Sequence, residues 1–126
     1  MRKIINTPYA PAPIGPYNQA ILVGNMLYTS GQIAINPISN ELVLTNIEVE
    51  TKQVMENLKA VLAEADMTFE NVIKSSIFVS DMHNFSAVNT VYGSYFDPIT
   101  APARETVEVA NLPKFVNVEI SVIAVQ

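Results

Sequence analysis

The sequence predicts an α+β fold, a mixed β-sheet with two helices on one face. Three observations predict it. Two segments carry apolar residues at helical spacing. Several shorter segments are rich in β-branched residues or alternate apolar with polar. The two kinds of segment are interspersed, so helices and strands share one core. A chain of 126 residues suits a single domain spanning 1–126.

From the N-terminus, Lys3–Ile5 reads as an extra first strand. Pro8–Pro16 reads as an ordered loop. Ile21–Val23 and Met26–Thr29 flank Gly24-Asn25, the pattern of a two-residue hairpin. Thr45 and Glu48 form a T-x-x-E capping box, with Leu44 and Val49 at the staple positions. The helix that follows carries Ile47, Thr51, Val54, Leu58, Val61 and Ala65 on one face and is expected to end near Asp66. Val72–Val79 reads as a strand. Asn84 is placed to cap a second helix with the stripe Phe85, Val88, Tyr92 and Tyr95, ended by Asp97-Pro98. Thr106–Val109 and Val116–Val125 read as the last two strands, separated by Leu112-Pro113.

The strand faces predict more. Val116, Val118, Ile120, Val122 and Ala124 alternate with Asn117, Glu119, Ser121, Ile123 and Val125. The first set should lie under the helices. By the same rule Val107 and Val109 go to the core, and Arg104, Thr106 and Glu108 to the opposite face. Arg104 and Glu119 are then expected on one face of adjacent strands. Two helices leave that face uncovered, so Met26, Tyr28, Ile123 and Val125 are expected to meet a neighbouring subunit. The alternative is a half-solvated sheet.

Composition limits the function. Hydrophobic residues make up 49% of the chain and charged ones 15%, a surface poor in charge that suits partial burial in an oligomer. A net charge of -5 repels phosphate backbones, which disfavours nucleic acid as a partner. The absence of cysteine removes disulfides, thiolate metal sites and a Cys nucleophile. His83 is the single histidine, so a multi-His metal site within one chain is excluded. The four glycines are scattered, so no phosphate-cradling loop forms and a nucleotide cofactor is not expected. Met1–Pro8 lacks the pattern of a signal peptide, and no apolar run is long enough to span a bilayer. The expectation is a cytoplasmic protein without membrane partners.

Few residues remain to carry chemistry. Arg104 is one of two arginines, and its planar fork matches a carboxylate. The structural alternative is a salt bridge to Glu119 or Glu108. Glu119 is a possible general base or water-orienting group, or simply the partner of Arg104. Gly31, after Ser30, permits close backbone approach to a ligand, and Ser30 can hydrogen-bond it; a plain turn is the alternative. Tyr17 either closes a pocket or packs the proline loop. Asn89 lies off the centre of the second helix's stripe, where solvation is the ordinary reading. His83 reads as a loop or capping residue.

Taken together, these segments resemble one family. Ala12-Pro13-Ile14-Gly15-Pro16-Tyr17, Thr29-Ser30-Gly31-Gln32-Ile33 and Ala101-Pro102-Ala103-Arg104 are similar to motifs of the reactive imine deaminase family, RidA, formerly YjgF. So are Val107-Glu108-Val109-Ala110, Leu112-Pro113 and Val118-Glu119-Ile120, and the resemblance spans essentially the whole chain. It implies a chorismate-mutase-like α+β fold and a homotrimer with a central barrel and clefts between subunits. It implies hydrolysis of 2-iminobutanoate and 2-iminopropanoate to 2-keto acids and ammonia, with no cofactor or metal. A non-catalytic protein that binds or senses 2-keto acids is the alternative within the same fold. By resemblance, Arg104 holds the substrate carboxylate and Glu119 positions or activates water. Tyr17, Ser30 and Gly31 line the cleft, Asn89 lies at its edge, and backbone groups of Thr106 meet the substrate. Many members have Cys where this chain has Thr106, which removes any thiol role.

Overall fold

The computed structural model describes residues 1–126. Six strands and two helices follow the order expected: β1 (Arg2–Ile5), β2 (Ala20–Val23), β3 (Met26–Thr29), α1 (Ile47–Glu64), β4 (Val72–Val79), α2 (Phe85–Gly93), β5 (Ala103–Glu108) and β6 (Val118–Val125). They form one mixed sheet in the order β1-β2-β3-β6-β4-β5. All neighbours are antiparallel except β4 and β5. The parallel pair is joined by the α2 crossover, as a parallel connection requires. The β2–β3 hairpin turns through Gly24 at φ +59°, a left-handed conformation that glycine adopts without a Cβ penalty.

One layer of core lies between helices and sheet. Val54, Leu58, Val61 and Leu62 of α1 are fully buried, as are Val118, Ile120 and Ala124 of β6. The expected inward set on β6 is therefore the observed one, with Val116 and Val122 also buried. Two buried polar side chains organise the backbone around this layer. The buried Glu50 carboxylate accepts from Asn117 N at 2.8 Å, Asn117 Nδ2 at 2.7 Å and Val118 N at 3.2 Å, fixing where β6 begins. Gln19 Nε2 donates to the carbonyls of Thr7, Ala10 and Pro11, and its Oε1 accepts from Thr7 N, so one side chain shapes the proline-rich loop.

The structure departs from the sequence reading at three places. The cap of α1 is Asn46, not Thr45: Asn46 Oδ1 accepts from Val49 N at 2.8 Å. Asn and Thr both cap well, and the side chain that reached the free N–H groups was one residue further on. The helix ends as expected, with Asp66 left-handed at φ +56° while Met67 N bonds Leu62 O and Asp66 N bonds Ala63 O. Second, α2 stops at Gly93, before Tyr95 and Asp97. Its cap Asn84 makes no side-chain cap bond; Asp81 instead caps the short 3₁₀ turn Met82–Asn84 that leads into it.

The third departure matters most. Val107 is 41% exposed, and Arg104 reaches the α2 side of the sheet. Arg104, Thr106 and Glu108 pair in register with Ser75, Ile77 and Val79, all buried under the helices. Glu119 pairs with Phe78 and lies between the buried Val118 and Ile120, so it points to the opposite, open face. Arg104 and Glu119 therefore do not share a face. Alternation separates the two sides of a strand but does not say which side meets the helices. On the edge strand β5 the polar set faces the helix layer and Val107 faces the open side.

Candidate functional site

Two groups of candidate functional side chains form, on opposite faces of the sheet. The first surrounds Glu119. The segment after β3 carries Ser30 and Gly31 and then pairs with β6 through Gln32, whose N–H donates to Ile120 O at 2.8 Å and whose carbonyl accepts from Ile120 N at 3.1 Å. That pairing brings Gly31 against the Glu119 side chain. A Cβ at position 31 would stand 2.7 Å from Glu119 Cδ and 2.9 Å from Cγ, so any larger residue must displace the carboxylate. The sequence reading offered this glycine a ligand approach or a plain turn; in the structure its open side faces Glu119.

A pocket of about 550 Å³ opens here, lined among others by Ala12, Tyr17, Ser30, Gly31, Lys114 and Glu119. Tyr17 is half-exposed on the proline loop, and its hydroxyl accepts from Ile14 N at 3.4 Å. Ser30 Oγ donates to Asn18 O at 2.6 Å, which ties the pocket wall to the same loop. Burial with no basic partner raises the Glu119 pKa above the ordinary carboxyl range. A half-buried carboxyl of this kind is suited to hold a water or take a proton. Lys114, which sequence reasoning passed over, enters the lining because Lys114 and Phe115 both adopt left-handed backbone at φ 56°.

The second group surrounds Arg104. Its Nη1 donates to Asn89 Oδ1 at 2.6 Å. The guanidinium carbon lies 5.3 Å from the centroid of the Tyr92 ring and 5.6 Å from that of Phe85. Neither ion pair in the structure, Lys74–Glu105 or His83–Asp81, involves it. Salt bridges to Glu119 or Glu108 do not form; Glu108 instead accepts from Met82 N at 2.8 Å. Arg104 and Asn89 line a second cavity of about 480 Å³ together with Tyr92, Phe96 and Pro102. Asn89 is exposed on α2, as its ordinary reading expects, and is also the neutral acceptor for Arg104. Phe85 and Tyr92, read from sequence as core stripe, share that helix face at positions i, i+4 and i+7. The stripe was legible; its second use was not.

Thr106 lies on the same side of β5 as Arg104, and its Oγ1 is buried without a hydrogen-bond partner. His83 is exposed, with its backbone N–H and its ring both on Asp81. No group of three or more His, Cys, Asp or Glu residues is placed to hold a metal ion. No helix is long and apolar enough to cross a membrane.

Comparison with known proteins adds to this geometry. A family model described as Endoribonuclease L-PSP matches residues 7–126. A "RutC family protein" of Synechocystis is 56% identical over 98% of this chain and 95% of its own. A "2-iminobutanoate/2-iminopropanoate deaminase" of Capra hircus is 46% identical over 100% of this chain and 91% of its own. Among solved structures, E. coli TdcF with bound serine superposes with a TM-score of 0.92 at 40% identity, covering 98% of each chain.

Proposed function

The chain belongs to the Endoribonuclease L-PSP family, which takes in the RidA, YjgF and RutC proteins, and from that premise we propose that it hydrolyses 2-imino acids such as 2-iminobutanoate and 2-iminopropanoate to 2-keto acids and ammonia. The observation that carries this reading is the state of Arg104. Its guanidinium is held by an amide and two aromatic rings and by no carboxylate of its own chain. A fork left unneutralised is available to a ligand carboxylate, at about 1.5–3 kcal/mol per charge-assisted hydrogen bond. The deaminase relative, similar along the whole chain, and the relative with an amino acid bound point to the same ligand class.

Arg104 and Glu119 stand on opposite faces, so one chain does not assemble both functions. In the proposed enzyme the Arg104 edge of one copy meets the Glu119 pocket of the next, in a closed ring of three. The uncovered apolar face that carries Tyr28 and Ile123 supports such an assembly. Arg104 grips the carboxylate, with Asn89 beside it and Thr106 further along the strand. Glu119, Tyr17, Ser30 and Gly31 form the other wall. Water held by Glu119 adds to the C=N carbon and gives a tetrahedral carbinolamine. Proton transfer to nitrogen expels ammonia and leaves the 2-keto acid. Every step is proton transfer or addition and elimination of water and ammonia, so the reaction is balanced without a metal or redox cofactor. Imine hydrolysis is fast unaided, and orientation is the main contribution of the site.

The test is a coupled assay in which an amino-acid oxidase generates 2-iminobutanoate and semicarbazide traps it. Wild type should suppress semicarbazone formation and Arg104→Ala should not. A second reading, carboxylate binding without catalysis, is favoured by one observation: the Arg104 group is complete within a single chain while Glu119 is not part of it. Binding of 2-ketobutyrate without any suppression of semicarbazone would decide for that reading.

A further inference from the structure

Arginines on strands usually lean on a carboxylate, and Arg104 does not. Three uncharged side chains of α2 and one buried serine take that role. Asn89 accepts from Nη1 at 2.6 Å. Tyr92 and Phe85 lie 5.3 and 5.6 Å from the guanidinium carbon, within the range of a cation–π contact. Tyr92 does not choose its own orientation: its hydroxyl donates to Ser75 Oγ at 2.8 Å, and Ser75 is fully buried on β4, in register with Arg104 itself. Tyr92 is 4% exposed and packs on Phe96 at 4.7 Å between centroids, so its ring is fixed on both sides.

We propose that Tyr92, locked by Ser75 and assisted by Phe85, is a positioning residue that holds the Arg104 fork in place for a carboxylate ligand without neutralising it. A π face attracts the cation but offers no lone pairs in the plane of the fork. The N–H donors that Asn89 does not take therefore stay in the plane where a carboxylate binds. A carboxylate in place of the rings would hold Arg104 equally well and compete with the ligand. The ligand-binding part of this inference rests on reading Arg104 as the carboxylate site; the placement of the guanidinium does not.

Two arms test it on the full-length protein. The first is spectroscopic and independent of activity. Arg2 and Arg104 are the only arginines, so the two Nε–Hε signals are assigned by Arg2→Lys. The rings should shift the Arg104 signal upfield of Arg2 in wild type, and by less in Tyr92→Phe, which lacks the bond to Ser75. In Tyr92→Leu it should move toward Arg2. The second arm is kinetic, with 2-iminobutanoate. Tyr92→Phe keeps the ring but loses the bond to Ser75, so it should raise KM less than Tyr92→Leu does. Tyr92→Leu and the milder Phe85→Leu should raise KM about 3- to 10-fold, the size of a cation–π contact, with kcat little changed. Val54→Ala, which destabilises the core from α1 without touching Arg104, should leave KM unaltered. An Arg104 signal coincident with Arg2 in wild type overturns the positioning claim, as does a wild-type KM in both leucine variants. A wild type that neither turns over imine nor binds 2-ketobutyrate sinks the proposed function instead, and the spectroscopic arm then decides the positioning claim alone.

Discussion

Gly31 has no room for a side chain because Glu119 occupies the space, with Cδ 2.7 Å from where a Cβ would stand. Gly31→Ala must push the carboxyl aside. That carboxyl is the end of a flexible side chain, so the stability loss should stay at the low end of the roughly 1–3 kcal/mol typical of overpacking. Activity should fall about 100-fold, because the group proposed to hold the water is misplaced. Denaturant melts and the semicarbazone assay measure the two separately. Glu119 also gives a pH signature. Burial raises its folded-state pKa above the ordinary 4.5. The folded state then holds a proton that the unfolded state has released, so stability falls as pH rises from the ordinary to the raised value. Glu119→Gln should remove that decline, and the gap in Tm between variant and wild type should open over that window. Parallel curves would contradict it. Arg104 and Glu119 were legible as candidates from residue type alone. What holds them was not: Phe85 and Tyr92 look like any apolar stripe until the arginine is seen above them.

At the scale of elements, every strand and helix was legible, because each carries its own period and its own stop signals. The errors fall where two residues could do the same job. Thr45 and Asn46 are both good caps, and only Asn46 Oδ1 reaches Val49 N. Asn46→Ala should therefore cost about 1 kcal/mol in a thermal or denaturant melt, while Thr45→Ala should be close to neutral. The reverse ranking would restore the T-x-x-E reading. The face of β5 failed for a related reason. β5 reads ARETVE and is exposed along nearly its whole length, so its alternation gives a period without a direction. The parallel register with β4 supplies the direction, putting Arg104 beside Ser75, and that register is a long-range fact no local pattern carries. The turn at Lys114–Phe115 is a third case, since two consecutive left-handed residues without glycine leave no mark in the sequence.

The whole molecule is an incomplete enclosure. One face of the sheet is covered by α1 and α2, and the other presents Met26, Tyr28, Ile123 and Val125 in paired register without cover from the chain. Sequence reasoning found this face from the count of helices and the sparse surface charge. It then placed both functional side chains on it, whereas the structure puts Arg104 on the helix side of the edge strand and Glu119 on the open face. That separation leads to the central claim, a site completed only when two copies meet. Complementation tests it most directly. Arg104→Ala and Glu119→Gln are each expected to be inactive alone. Unfolded together and refolded as a mixture, they should form some clefts with an intact Arg104 from one chain and an intact Glu119 from its neighbour. Random assortment around a closed ring makes about a quarter of the clefts intact, and imine-hydrolysing activity should return to about that fraction of wild type. A mixture that refolds into the same assembly and stays as inactive as its parents would contradict the shared site.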